Sequence, residues 1–238
     1  MVLELILIAI VALVTWCVAS EGAWGAALTL LSVIVAGLLA TCFFEVTANF
    51  LQANITDSYE WQHRWDVIAM VGLFAGFVFV LRTVTERIVP TNIEIHGLVF
   101  DVTRWGGGLL SGVVTMSFLL AALHTAPLPP GFLGFTAEPE RRAGPIGQAA
   151  PDLRWLGFVH YMTETAFGKG TAGSVFDGDV ATFPGGVTEI LPSFPIRYAT
   201  RRDRYYSSAA ASTTSTTAPA GPGPGARRPA GRSSGPTY

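Results

Sequence analysis

Four runs of apolar residues, at 2–20, 23–44, 67–81 and 105–124, alternate with short polar segments before the pattern dissolves near residue 125. An α-helix crosses roughly 30 Å of hydrocarbon with about 20 residues, at 1.5 Å per residue. The first run holds a single charge, Glu4, close enough to its end to sit among headgroups, and the second holds none. The third is the shortest, bounded by Asp66 and Arg82. It spans if Trp65 anchors one end and Arg82 snorkels at the other. The fourth opens at Trp105 and carries no Asp, Glu, Lys or Arg. The pattern predicts an all-α membrane protein, with four transmembrane helices in residues 1–125.

The first run lacks the basic start and the small-residue cleavage site of a signal peptide. A second run follows at once across Glu21-Gly22. This spacing predicts a tight helical hairpin, with Gly22 and Gly25 letting the two backbones approach.

Composition supports the membrane setting. Charged residues make up 13% of the chain, against about 25% in soluble domains. Residues 1–125 hold 4 basic and 9 acidic side chains, and residues 126–238 hold 11 and 8. Of the charges in the first half, only Glu4 falls inside an apolar run. An ordinary soluble globule is excluded. So is a nucleic-acid partner, because the folded part has no basic stripe. The lipid bilayer is the first partner this composition implies.

Arginines in the short loops set orientation. The first turn has none, the 45–66 loop has Arg64, and the 82–104 loop has Arg82, Arg87 and Arg104. This places the 82–104 side in the cytoplasm and both termini on the outer face. The eleven basic residues of the second half argue the reverse, but long segments weigh little in this rule. Trp61 and Trp65, with Tyr59, precede the third span, and Trp105 opens the fourth. They suit interfacial anchors, with ordinary helix packing as the alternative.

Gly72-Leu-Phe-Ala-Gly76 and Gly108-Leu-Leu-Ser-Gly112 are small-residue pairs four apart. Such pairs lie on one helix face and permit close helix contact, within the protomer or in a homo-oligomer. The second, third and fourth runs contain no Asp, Glu, Lys or Arg of the kind that marks a proton path. Cys17 lies about five residues before the first turn and Cys42 about twenty beyond it. Their depths differ by roughly 22 Å, well beyond the reach of a disulfide. His63, His96, His124 and His160 show no metal-ligand spacing. Asp177-Gly-Asp179 reads as a turn, the remaining ligands of a calcium loop being missing. No nucleophile–base pair appears, so neither catalytic residues nor a cofactor are expected.

Beyond residue 125 the chain changes character. Pro127, Pro129 and Pro130 end the fourth helix and open a linker. Residues 151–167 read as a helix: Pro151 suits its first turn, Trp155, Val159, Met162 and Ala166 share a face, and Gly168 stops it. That helix is apolar enough to need a partner in a neighbouring domain, the membrane surface or another protein. Residues 126–206 otherwise look mostly irregular. Residues 207–238 are rich in Ser, Thr, Ala, Pro and Gly and are expected to be disordered. Arg197, Arg201, Arg202 and Arg204 form a basic cluster just ahead, suited to anionic lipid, cell-wall polymer or plain solvation. The polar loop at 45–66 reads as a surface helix or loop. The segment 83–95 reads as an amphipathic stretch broken by Pro90.

Three local patterns carry a family resemblance. The turn Ser20-Glu21-Gly22-Ala23-Trp24-Gly25 separates two spans. The third span runs into the polar stretch Arg82-Thr-Val-Thr-Glu86-Arg87-Ile-Val-Pro90. The fourth begins with Arg104-Trp105-Gly106-Gly107-Gly108-Leu-Leu-Ser111-Gly112. With the four-span layout, residues 2–124 resemble the CvpA family of colicin V production proteins, and differ at Glu21, Ser111 and the separated Asp101 and Arg104. The resemblance implies a multi-pass protein of the bacterial cytoplasmic (inner) membrane, its termini periplasmic by the arginine count. It implies a non-enzymatic role in envelope function or export of a toxin-like peptide, through a membrane or periplasmic partner. The alternative is an oligomeric channel or transport subunit assembled through the glycine faces.

Overall fold

A computed structural model describes residues 2–55, 59–88, 97–129, 131–136, 138–142, 144–165, 180–182, 188–190 and 194–216. The four long helices are α1 (Val2–Ala19), α2 (Gly22–Asn54), α3 (Tyr59–Ile88) and α4 (Leu98–Thr125). Each is long and apolar enough to cross a membrane. They are followed by a single helical turn α5 (Pro145–Gln148), then α6 (Pro151–Thr165), the antiparallel pair β1 (Val180–Thr182) and β2 (Thr188–Ile190), and α7 (Phe194–Thr216).

The spans run longer than their apolar runs. No glycine or proline interrupts residues 38–55, so α2 carries its helix through Glu45 to Asn54. The expected surface segment after residue 45 is therefore mostly the last turns of α2 and the first of α3. At the other end α3 continues past Arg82, where Arg82 and Glu86 pair one turn apart at 3.0 Å. The short third run is thus the middle of a 30-residue helix. Pro90 lies outside the described residues.

Helices α4 and α2 form the centre, with α1 and α3 outside them. Half of the apolar window of each central helix is buried within the protein, against 22% for α1 and 17% for α3. α1 runs antiparallel to α4, Thr15 lying against Gly108 and Val11 against Gly112. α2 runs parallel to α4, with Ala26 beside Gly107 and Gly37 near Phe118.

The first hairpin is not the close helix pair expected from Gly22 and Gly25. α1 leaves the turn to pack on α4. Gly22 supplies the turn itself, at φ +88°, and Gly25 faces the Glu21 side chain. The two glycine pairs also part ways. Methyl groups at Gly108 and Gly112 would meet α1 backbone oxygens at 2.9 Å, whereas nothing lies within 4 Å of one at Gly72 or Gly76. The α4 pair therefore packs inside the protomer, and the α3 pair faces outward.

The helix read at 151–167 is found as α6, and it folds back along α4. Phe194–Thr216 is helical, so the expected irregular stretch and disordered tail give way to α7 through residue 216. Its first turns are held by Phe194 and Tyr198, one helical turn apart and both buried. Residues 217–238, and the turn read at Asp177-Gly-Asp179, lie outside the described residues.

Candidate functional site

The chain emerging from α4 wraps around the end of the bundle and returns to it. Pro127 and Pro129 prevent the helix from continuing. Phe135 then packs edge-on against His124, with ring centroids 5.0 Å apart. A turn at Pro139–Arg141 delivers Arg142, and α5 leads to Pro151 at the start of α6. Ala150, just ahead, has a left-handed φ of 48°, a conformation that costs a non-glycine residue energy unless its surroundings hold it.

The surroundings are a buried ionic cluster. Arg142 donates from Nη1 to Asp152 Oδ1 at 2.7 Å and from Nη2 to Oδ2 at 2.8 Å. Its Nε donates to the Thr136 carbonyl at 2.8 Å. The Nε2 of His124 meets Asp152 Oδ2 at 2.7 Å. All three side chains are fully buried. Burial on its own would push the Asp152 carboxyl up. The hydrogen bonds from His124 and Arg142, with the charge of Arg142, outweigh it and hold the carboxyl well below the usual carboxylate range. Asp152 is therefore ionised, and the proton of the shared contact belongs to His124 Nε2. With three donors already on its two oxygens, Asp152 serves as a fixed anionic anchor. To act as a general base it would have to surrender the Arg142 pair.

α7 closes over the same end. Phe194 sits edge-on to Phe44 at 6.1 Å and to His124 at 6.4 Å. Arg197 pairs with Glu45 at 2.7 Å and Arg201 with Asp66 at 2.6 Å. The basic cluster expected to meet lipid, polymer or solvent thus spends two of its arginines on the ends of α2 and α3. Arg202 lies over the Phe135 ring at 5.7 Å. Burial pushes the Tyr198 phenol upward, reinforced by the negative charges of Asp66 and Glu45. A cleft of about 210 Å³ remains between this helix and the loop after α4, lined by Leu128, Phe135, Arg141, Ala199 and Arg202 among others. Glu4 belongs to this end too. Its Oε1 accepts from the Ile146 amide at 3.3 Å, and its carboxylate fills the space beside Gly144.

The opposite end carries Arg82, Arg87 and Arg104, the arginines expected to set orientation. Arg82 pairs with Glu21 at 2.5 Å, tying the first turn to the end of α3, and Thr29 donates to Glu21 at 3.2 Å. Arg104 lies over the rings of Phe100 and Trp105, at 5.6 Å and 5.3 Å, and Arg87 is exposed. Of the tryptophans, Trp65 is buried in the core beneath Trp61, with ring centroids 5.3 Å apart. Packing is its role within the protomer. Trp61 and Trp105 keep exposed ring surface.

Among the described residues, no group of three or more His, Cys, Asp or Glu is placed to hold a metal ion. Cys17 and Cys42 are free thiols on the outer surface of the helices. The cluster of Arg142, Asp152 and His124 escaped sequence reasoning because its members lie on three elements, with no spacing motif. The one available signal was an aspartate at the second position of a helix that begins with proline. No family model, curated protein or solved structure matches this chain.

Proposed function

We propose that the chain is a CvpA-like, non-enzymatic protein of the bacterial cytoplasmic membrane, supporting envelope function or the export of a toxin-like peptide by recruiting a partner. The supporting observation is the lock between Asp152, Arg142 and His124. It makes the segment after α4 a rigid cap on the bundle rather than a tethered domain. In this reading the cap lies on the outer face and is the surface the partner meets. Its buried carboxylate, Asp152, is engaged in holding the cap and does not face the surface. The test is crosslinking in native membranes from a reactive group at Arg141, on the rim of the cleft. A discrete membrane or periplasmic partner is expected, and purified protein that hydrolyses or transfers a substrate alone overturns the reading. A cysteine at Ser207 should react with an impermeant reagent in intact cells. Reaction only after lysis inverts the orientation.

A second reading, a channel or transport subunit, is favoured by the uncovered glycine face of α3. It predicts oligomers and flux in proteoliposomes, both lost in Gly76→Leu. A monomeric protein with no flux removes it.

A further inference from the structure

α6 is apolar on both sides. Its inner face carries Trp155, Leu156, Val159 and Thr163, all buried against the bundle. Its outer face carries Leu153, Gly157, Phe158 and Tyr161, with Phe158 38% and Tyr161 61% exposed. Residues 155–163 contain no Asp, Glu, Lys or Arg and one histidine, His160; Asp152 and Arg154 stand at the capped end of α6 and Glu164 at its other end. Apart from Arg154 toward the capped end and His160, both faces are apolar, as suits a helix in a protein core or in lipid.

Its depth decides between these. Trp155 packs directly on Gly37 and Phe118. Gly37 lies seven residues inside the end of the second apolar run at Phe44, about 10 Å. Phe118 lies six residues inside the end of the fourth, about 9 Å. α6 runs on from Trp155 for ten further residues along α4. At 15 residues the helix is about 22 Å long, too short to cross roughly 30 Å of hydrocarbon. Its first turn is fixed to His124, and the chain is back at His124 by Phe194. Entry and return are therefore at one end of the bundle.

We propose that α6 is a re-entrant membrane helix, dipping from the capped end beside α4, and that Gly157, Phe158 and Tyr161 face lipid acyl chains. A half-crossing helix is tolerated in a bilayer where protein covers part of it and its polar groups are engaged. Here Thr163 bonds back to the Val159 carbonyl at 3.0 Å, and α4 covers the inner side. The proposal rests on the four long helices crossing a bilayer, and the test separates the two.

Spin labels are placed on single cysteines at positions 157, 158, 13 and 140, with Cys17 and Cys42 replaced by alanine, in proteoliposomes of a phosphatidylethanolamine and phosphatidylglycerol mixture. Gly157→Cys adds a side chain where nothing lies within 4 Å, so it leaves packing intact if Phe158→Cys does not. Leu13, exposed in mid-α1, reports lipid, and Glu140, exposed in the cap, reports water. The expected result is an oxygen-to-nickel-chelate accessibility ratio at 157 and 158 matching position 13 and severalfold above position 140. A ratio matching position 140 places α6 in water and overturns the proposal. Low access to both probes, as beneath a second protein surface, also overturns it. A watery position 13 overturns the membrane reading itself.

Discussion

His124 and Asp152, 28 positions apart, share a 2.7 Å hydrogen bond with both side chains sealed from solvent. That contact fixes where α6 begins against where α4 ends. Arg142 completes it with two further bonds to the same carboxylate. Breaking a buried ion pair from one side leaves an uncompensated charge, at a cost of about 3–5 kcal/mol, whereas replacing the whole set by apolar residues is often neutral. Asp152→Ala is therefore expected to lower unfolding stability in detergent by about 3–5 kcal/mol. The triple change His124→Leu, Arg142→Met and Asp152→Leu should cost less. Thermal unfolding of the two variants checks this. A triple variant less stable than the single one refutes it.

The same carboxylate sets a pH dependence. Desolvation opposes its ionisation, but the bonds from His124 and Arg142 prevail, so its folded pKa lies below that of the unfolded chain. A depressed acid contributes stability that is complete above the unfolded value, near ~3.9 for aspartate, and is lost as pH falls through the folded value. The contribution of Asp152 should hold from pH 7 down to about 5 and decline below about 4. Asp152→Asn, which cannot titrate, should flatten the decline. Denaturation curves at stepped pH measure it, and an unchanged slope in Asp152→Asn assigns the decline to other groups.

The four long helices were legible in the sequence because a helix apolar enough to cross a bilayer leaves a run of apolar residues that no other demand erases. The ends of the helices were less so. Glu45 and Arg82 looked like boundaries, yet both are helical, since a charge does not stop a helix that lacks glycine or proline. The cap was hardly legible. α7 depends on Phe194 and Tyr198 finding Phe44, and on Arg197 and Arg201 finding Glu45 and Asp66. These contacts exist only after the bundle has brought the ends of α2 and α3 together. Gly37, which no pattern singled out, proved to be the seat of Trp155.

That seat yields a sharp prediction. A methyl at Gly37 would lie 2.6 Å from Cζ2 of the Trp155 ring, and the ring is buried with little room to yield. Overpacking of this kind costs about 1–3 kcal/mol. Gly37→Ala should destabilise the protein by that amount, while in a Trp155→Leu background the same change should be close to neutral. The coupling in a double-mutant cycle isolates the contact. Equal effects in the two backgrounds would show that Trp155 is not what Gly37 accommodates.

The two glycine pairs make opposite predictions despite identical spacing. Gly108 and Gly112 face the carbonyl oxygens of Thr15 and Val11, where a Cβ would come within 2.9 Å. Because backbone cannot rotate aside, leucine at either position must push α1 off α4, at a cost of about 1–3 kcal/mol or more. Gly72 and Gly76 have open space before them, so leucine there should alter unfolding stability by less than about 0.5 kcal/mol. Any effect of the α3 pair must then appear between protomers, where small residues let helices approach without a hydrophobic drive. Crosslinking in native membranes and thermal unfolding in detergent read the two effects separately. Gly112→Leu should lose stability. Gly76→Leu should keep it and, on the transport reading, lose the crosslinked species. A Gly76→Leu protein that unfolds as readily as Gly112→Leu would mean that α3 packs through its glycine face within the protomer.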